Sequence, residues 1–198
     1  MKTSRTISSS LETKITGLEK KIRAMKTKMA ELRRTLPAQE VSDYIFKDRS
    51  GKNVTLSESF LDKQELILIQ NMGKACVYCT LWADGFNGII HHLENRAAFV
   101  VVSSDDVKTQ REFADSRGWK FRMLSSKENT FKKDLGFEPH PGDFDPGVSI
   151  FIKDKNGKIF HRTSTNFGPG DNYCNLWDLL DLLPTDKAWG PKYSYSKK

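Results

Sequence analysis

Residues 65–82 read ELILIQNMGKACVYCTLW, and this stretch decides the fold. Leu66, Ile67, Leu68 and Ile69 make a short apolar run closed by Gly73, the pattern of a strand covered on both faces, as in parallel sheets. Directly behind it stands Cys76-Val77-Tyr78-Cys79. From there Leu81, Trp82, Phe86, Ile89, Ile90 and Leu93 recur at helical spacing, so the cysteine pair opens a helix that follows a strand.

Position dictates the expected chemistry. A thiol attacks only as its thiolate, and its pKa, about 8.5 in a free cysteine, falls at a helix N-terminus, beside a cation or beside a second cysteine. Helix amides, Lys74 and Cys79 all stand near Cys76, so Cys76 is the expected attacking sulfur and Lys74 an expected thiolate-stabilising cation. Cys79, one turn inside the helix, is the expected resolving sulfur. Two other readings stand beside this one. The cysteines could be a reduced pair in a core turn, or part of a zinc site. Structural zinc takes four ligands, usually as two spaced pairs. Beyond the pair there are only Cys174 and the histidines His91, His92, His140 and His161, with no second C-x-x-C and no H-x-x-x-H. Adjacent His91 and His92 point about 100° apart on a helix. No metal and no cofactor is expected, and Cys174 reads as a spectator.

The 198 residues, 37% hydrophobic and 29% charged, suit one globular domain with an extension. No stretch reaches the roughly 18 consecutive apolar residues that cross a bilayer. The opening MKTSRTISSSLETK lacks the apolar centre of a secretory signal, although its basic, Ser-rich first ten residues leave a transit peptide open. A cytoplasmic protein without membrane attachment is therefore expected, and in that compartment a C-x-x-C points to catalysis or metal binding rather than a structural disulfide. The net charge of +7 lies in the extension: residues 1–36 hold ten of the 32 basic residues and three of the 25 acidic ones, which leaves the remainder neutral.

Leu11, Ile15, Leu18, Ile22, Met25, Met29, Leu32 and Leu36 alternate steps of four and three, a heptad seam that Pro37 stops. Such a seam predicts a long helix over residues 1–37 that pairs with a second copy of the chain, its basic outer face being solvated rather than bound to nucleic acid, since no aromatic residues interleave the basic ones.

Further on, strands are expected around Tyr44-Ile45-Phe46 and Val54-Thr55, followed by a short helical turn capped by Ser57. Ala97–Val102 reads as a second buried strand, and Asp106 caps a helix that stops at Gly118. Trp119–Leu124 alternates like a more exposed strand, and Asn129–Leu135 reads as a short helix before the proline-containing loop 138–147. Val148–Ile152 and Lys158–Thr163 form a hairpin around Asn156-Gly157, and Asn175–Leu183 reads as an amphipathic closing helix. These elements predict an α/β domain over residues 38–185, a mixed sheet with helices on both faces, and a flexible tail over 186–198.

A strand, a C-x-x-C at the next helix start, a β-α-β crossover, a hairpin and a final helix resemble the thioredoxin fold. The set RRTLP at 33–37, CVYCTLWADGFNG at 76–88, FVVVSSD at 99–105, GVSIFIKD at 147–154, HRTST at 161–165 and LLDLLP at 179–184 resembles a bacterial thioredoxin-like family known as domain of unknown function 899. The resemblance implies that Cys76 and Cys79 are a redox pair with Val148 and Ser149 beside it at a substrate cleft; Tyr78 and Trp82 are candidates for shaping that cleft, although an aromatic on this helix is more often core. Thioredoxins carry a cis-proline where this chain has Gly147-Val148-Ser149. A cis bond before a residue other than proline costs about 2.5–4 kcal/mol, so a trans Val148 and a dedicated substrate, protein or small molecule, are expected.

The resulting expectation is a thiol–disulfide oxidoreductase acting on a disulfide or thiol substrate. A peroxiredoxin-like peroxidase is the related alternative. Its peroxidatic cysteine would fall on Cys79, with a threonine where this chain has Cys76 and a proline upstream where it has Asn71-Met72-Gly73. A redox-inactive interaction module built on the N-terminal helix is the alternative from another class.

Overall fold

The computed structural model describes residues 2–185 and 187–195. The chain divides into two units, one ending at Pro37 and the other starting at Ala38. The first is the single helix α1, Lys2–Thr35, with Arg33 and Arg34 in its last turn, where cations favour the helix dipole. All eight seam residues from Leu11 to Leu36 are exposed.

The second unit contains β1 (Gln39–Glu40), β2 (Ile45–Lys47), β3 (Asn53–Thr55), a 3₁₀ turn (Ser57–Phe60), β4 (Glu65–Asn71), α2 (Val77–Arg96) and β5 (Ala98–Ser103). It continues with α3 (Val107–Arg117), β6 (Met123–Ser125), α4 (Phe131–Asp134), β7 (Gly147–Lys153), β8 (Ile159–Asn166) and α5 (Leu176–Leu180). One eight-stranded sheet runs in the order β1-β8-β7-β4-β5-β6-β2-β3. β4, β5 and β6 are parallel, as their helical crossovers require, and the other neighbours are antiparallel. The expected mixed sheet is thus present, with β4 between a parallel and an antiparallel partner.

The continuous apolar strands serve two cores. Ile69, Phe99 and Val101 join Ala83, Phe86 and Ile90 of α2 and Ala114 of α3 on one face. Leu66, Leu68, Val100 and Val102 join Phe46, Leu56, Phe60, Phe131 and Phe151 on the other. Period-two alternation sends successive side chains into opposite cores, so no position of these strands can be polar without consequence. Full burial of a phenylalanine such as Phe60 or Phe131 contributes about 1.5–3 kcal/mol.

Several expectations change. Trp119–Leu124 is not a strand throughout: pairing with β5 begins only at Met123, and that strand is buried rather than exposed. Its alternation came from Trp119 and Phe121, which stack at 5.4 Å and anchor the first core ahead of β6. The closing helix is five residues long rather than nine, because Leu179, Leu182 and Leu183 find no core and remain exposed. Ser57 does not cap the turn it begins; its hydroxyl and amide bond Asp43 at 2.7 Å each. Asp106 does cap α3, accepting the Thr109 amide at 2.9 Å, and Gly118 ends that helix in the left-handed region. β8 extends to Asn166, and β1, at two residues too short for periodicity to register, pairs with its far side.

Gly147 begins β7 where the chain leaves the proline loop, and a β-carbon there would strike the Thr165 carbonyl and the Phe137 ring. Gly147→Ala is expected to lower unfolding free energy by about 1–3 kcal/mol in urea denaturation. An unchanged midpoint would show that β7 and β8 can part at no cost.

Candidate active site

The end of β4 and the start of α2 are joined by a loop that its own side chains hold. Asn71 Oδ1 accepts the Gly73 amide at 2.7 Å, and Ser104 Oγ donates to the Met72 carbonyl at 2.8 Å. Gly73 has φ +109°, and the space beside it is filled by the Asp105 carboxylate, which accepts the Lys74 amide at 2.7 Å. Only glycine meets both demands. The Cys76 amide then closes a turn onto the Gly73 carbonyl at 3.1 Å.

Cys76 is the N-cap of α2. Its backbone is extended, and its Sγ accepts the Cys79 amide at 3.0 Å, the role a serine or aspartate oxygen usually fills. Its carbonyl receives both the amide and the hydroxyl of Thr80, each at 3.1 Å. The sulfur is therefore drawn in where backbone N–H groups converge, on a residue that is partly buried rather than closed off. Cys79 is 3% exposed. Both thiols are free.

The pair titrates asymmetrically. The Cys79 S–H donates to the Cys76 sulfur, and together with the Cys79 and Tyr78 amides it brings Cys76 down to about 7 against the opposing effect of burial. Cys79 is pushed far up, first because it gives that hydrogen bond, then by burial and by the charge on Cys76. Above a pH of about 7 the outer sulfur is mainly thiolate, and the one proton that remains sits on the inner sulfur. The pull on Cys76 comes from Cys79 and the amides, while Lys74 enters the site through its backbone: its amide meets Asp105, and its carbonyl accepts the Tyr193 hydroxyl at 2.9 Å. Burial raises Asp105, and burial followed by the charges of Cys76 and Cys79 raises Tyr193. Tyr193 lies in the tail expected to be flexible, of which residues 187–195 are described and Asp186 and 196–198 lie outside the described residues.

The residues expected about a cleft separate. Tyr78 is partly buried, its ring 6.2 Å from Trp82 and 6.3 Å from Trp177. Trp82, Val148 and Ser149 are buried, so their side chains belong to the interior rather than to an open cleft. Trp82 packs on Phe167 in the first core, and no peptide among the described residues is cis, so Val148 is trans. Ser149 takes the Gln70 amide nitrogen at 3.2 Å and pairs at 2.8 Å with Ser164, whose hydroxyl lies 2.7 Å from His161 Nε2. Cys174 is buried in the first core with its thiol raised by burial. No group of three metal-ligating side chains occurs among the described residues, and His91 and His92 are exposed on α2.

Lys132 is the residue that sequence reasoning missed. It is only 2% exposed, and its Nζ donates to the Asn71 carbonyl at 3.0 Å and to Gln70 Oε1 at 3.3 Å, both at the end of β4. Nothing in FKKD at 131–134 distinguishes it from exposed Lys133, because the turn is too short to show a period.

Alkylation with iodoacetamide is expected to label one thiol of the native protein, Cys76, at a rate that rises with pH through a midpoint of about 7, since the thiolate is the reactive form. Peptide mapping of the labelled protein checks the position. A midpoint near 9, or equal labelling of Cys79, would contradict the asymmetry.

Comparison with known proteins agrees with the fold. The chain is 27% identical over 135 residues to the chloroplastic peroxiredoxin Q of Arabidopsis thaliana, covering 66% of this chain and 60% of that one. It is 26% identical to the chloroplastic peroxiredoxin Q of Sedum lineare over 71% of this chain and 75% of that one. The chain thus spans about 60% of the length of the Arabidopsis relative. Among solved structures, the peroxidoxin BcpB of Mycobacterium tuberculosis superposes with a TM-score of 0.51 at 24% identity, over 63% of this chain and 82% of that one. A PrxQ mutant of Xylella fastidiosa gives 0.53 at 15% identity, over 72% and 91%. The mixed sheet with its C-x-x-C helix is accordingly a thioredoxin-like fold of the kind these peroxiredoxins share. The pattern of the bacterial family of unknown function DUF899 matches residues 10–194, nearly the whole chain, and the protein belongs to that family.

Proposed function

We propose that the protein is a two-cysteine thiol oxidoreductase of the cytoplasm in which Cys76 attacks and Cys79 resolves. The observation that carries this is the asymmetric pair itself: a partly buried sulfur that caps a helix and is lowered to about 7, with a buried thiol donating to it. A nucleophilic thiol works best with a pKa near ambient pH, since a lower one sacrifices nucleophilicity.

With a disulfide RS–SR′, the Cys76 thiolate attacks one sulfur, the S–S bond breaks, and R′S⁻ leaves with a proton from the medium. Cys79 then attacks Cys76 Sγ, RS⁻ leaves, and a Cys76–Cys79 disulfide remains. Two electrons pass from the dithiol to the substrate. We assign Lys74, Tyr78 and Tyr193 to the side from which a substrate would approach, since Lys74 is exposed, Tyr78 lies between the two cysteines in the chain and the Tyr193 hydroxyl bonds the Lys74 carbonyl.

A second reading has a peroxide as the oxidant, and the peroxiredoxin names of the relatives favour it. The Cys76 thiolate would attack the peroxide oxygen, release ROH after one protonation and become a sulfenic acid, which Cys79 converts to the same disulfide with loss of water. The relatives weigh toward peroxide, whereas the local geometry weighs toward disulfide. A peroxidatic role for Cys79 would need its buried, raised thiol to ionise first.

Mixing the reduced protein with hydroxyethyl disulfide or with hydrogen peroxide and following loss of free thiols separates the readings. Faster oxidation by the disulfide, abolished in Cys76→Ser, supports exchange; faster oxidation by peroxide, abolished in the same variant, supports the second reading. If wild type and Cys76→Ser are equally inert toward both, the protein is not a Cys76-dependent oxidoreductase and the interaction-module reading takes its place.

The proposal extends to homodimerisation through α1, supported by the exposed heptad seam. Light scattering of the wild type is expected to give the mass of two chains, and Leu18→Lys with Ile22→Lys the mass of one. A single-chain mass for the wild type would remove the dimer.

A further inference from the structure

Among the described residues, one lysine is buried in the fold without an ion-pair partner. Lys132 is held at the sheet side of the dithiol loop, with no carboxylate within ion-pair distance among the described residues. The Phe144 ring lies 5.9 Å from its Nζ. An isolated buried ammonium is costly, and a lysine in that position escapes the cost by giving up its proton. Its two hydrogen-bond acceptors, the Asn71 carbonyl and Gln70 Oε1, match the two N–H donors of a neutral amine and leave its lone pair unoccupied. Gln70 is itself held by the Ser149, Ser164 and His161 chain, which takes its amide nitrogen and keeps its oxygen turned toward Lys132.

Three ionisable groups face this amine from the surrounding elements. Cys79 of α2 acts on it most strongly, followed by Glu138 of the proline loop and Asp105 beyond β5. Reciprocally, Lys132 in its protonated form eases ionisation of Cys79. Asn71, whose carbonyl takes the lysine, is also the residue that shapes the loop into Cys76.

We propose that Lys132 is the acceptor for the Cys79 proton in the resolving step. The proposal rests on the reading of Cys76 and Cys79 given above. Once Cys76 is a mixed disulfide it no longer carries the charge that holds the Cys79 proton. The neutral Lys132 amine takes that proton, directly or through one water, and becomes an ammonium beside the new thiolate. The Cys79 thiolate attacks Cys76 Sγ, the bond from Cys76 to the substrate sulfur breaks, and Lys132 gives its proton up to the departing thiolate or to the medium. The amine is thereby returned to its starting state, and no further oxidant or reductant is needed. Buried Lys132 falls to about 7, with burial as the main cause, so the neutral form predominates above neutral pH.

Dithiobis-nitrobenzoate tests the step in a single turnover of the reduced full-length protein. Attack by Cys76 releases one coloured thiolate and resolution by Cys79 a second, so stopped flow reads the two steps separately. In Lys132→Met the first phase is expected to be unchanged and the second slowed by about 100-fold, with its pH inflection near 7 lost. Lys132→Arg, which keeps a cation that does not release its proton, is expected to slow the second phase as well. A fast second phase in Lys132→Arg, or an unchanged one in Lys132→Met, would overturn the assignment. Should either variant fail to fold, the wild-type second phase decides: acceleration through a midpoint of about 7 supports Lys132, and a flat profile or a rise only above 9 overturns it. Absence of the first phase in the wild type would instead remove the Cys76 reading, and the Lys132 step with it.

Discussion

The hydrogen bond from the Cys79 amide to the Cys76 sulfur joins the architecture to the chemistry. As a cap, it satisfies one of the amides that every helix leaves open at its start, and so fixes where α2 begins. As an electrostatic contact, it places a sulfur where the helix favours negative charge. The two roles reinforce each other, because an ionised sulfur is a better acceptor than a neutral one. Cys79 strengthens the same centre from inside by donating its own S–H, which leaves it protonated and leaves the outer sulfur available.

That arrangement depends on how β4 ends. Gly73 brings the chain past the Asp105 carboxylate in a conformation open to few other residues, and the Asp105 contact with the Lys74 amide ties the loop to the segment after β5. The parallel pairing of β4 with β5 sets these two segments side by side. The site is therefore a consequence of adjacent parallel strands whose C-terminal ends share one edge, the place where open α/β sheets put their ligands.

Behind the thiols the sheet departs from apolar packing. Leu66 and Leu68 continue along one face of β4 into Gln70, and Phe151 of β7 is followed on the same face by Ser149, so the second core becomes polar toward the cysteines. Buried amide, hydroxyl and amine groups contribute little to stability even when fully hydrogen-bonded, and cost more when any member is unpaired. Their concentration at one end of one core, next to the redox pair, is the kind of local inconsistency that marks a functional region rather than a structural one.

Much of this was legible in the chain. The apolar run at 66–69, the helical period from Leu81 to Leu93, the Asp106 and Gly118 signals and the Asn156-Gly157 turn each act through neighbouring backbone, and each produced the expected element. Trp119–Leu124 was misread because two buried aromatics imitate the alternation of a strand, and the Asn175–Leu183 helix was overextended because apolar spacing does not say whether a core is there to receive it. Sequence alone determined that two cysteines stand at a helix start behind a buried strand, since local hydrogen bonding and periodicity suffice for that. Only the tertiary structure decided that Lys132 is interior, that Trp82 and Ser149 face cores, and that Tyr193 returns to Lys74 across 119 positions. Burial and charge at those positions come from strands and loops far apart in the chain, and no local pattern carries that information.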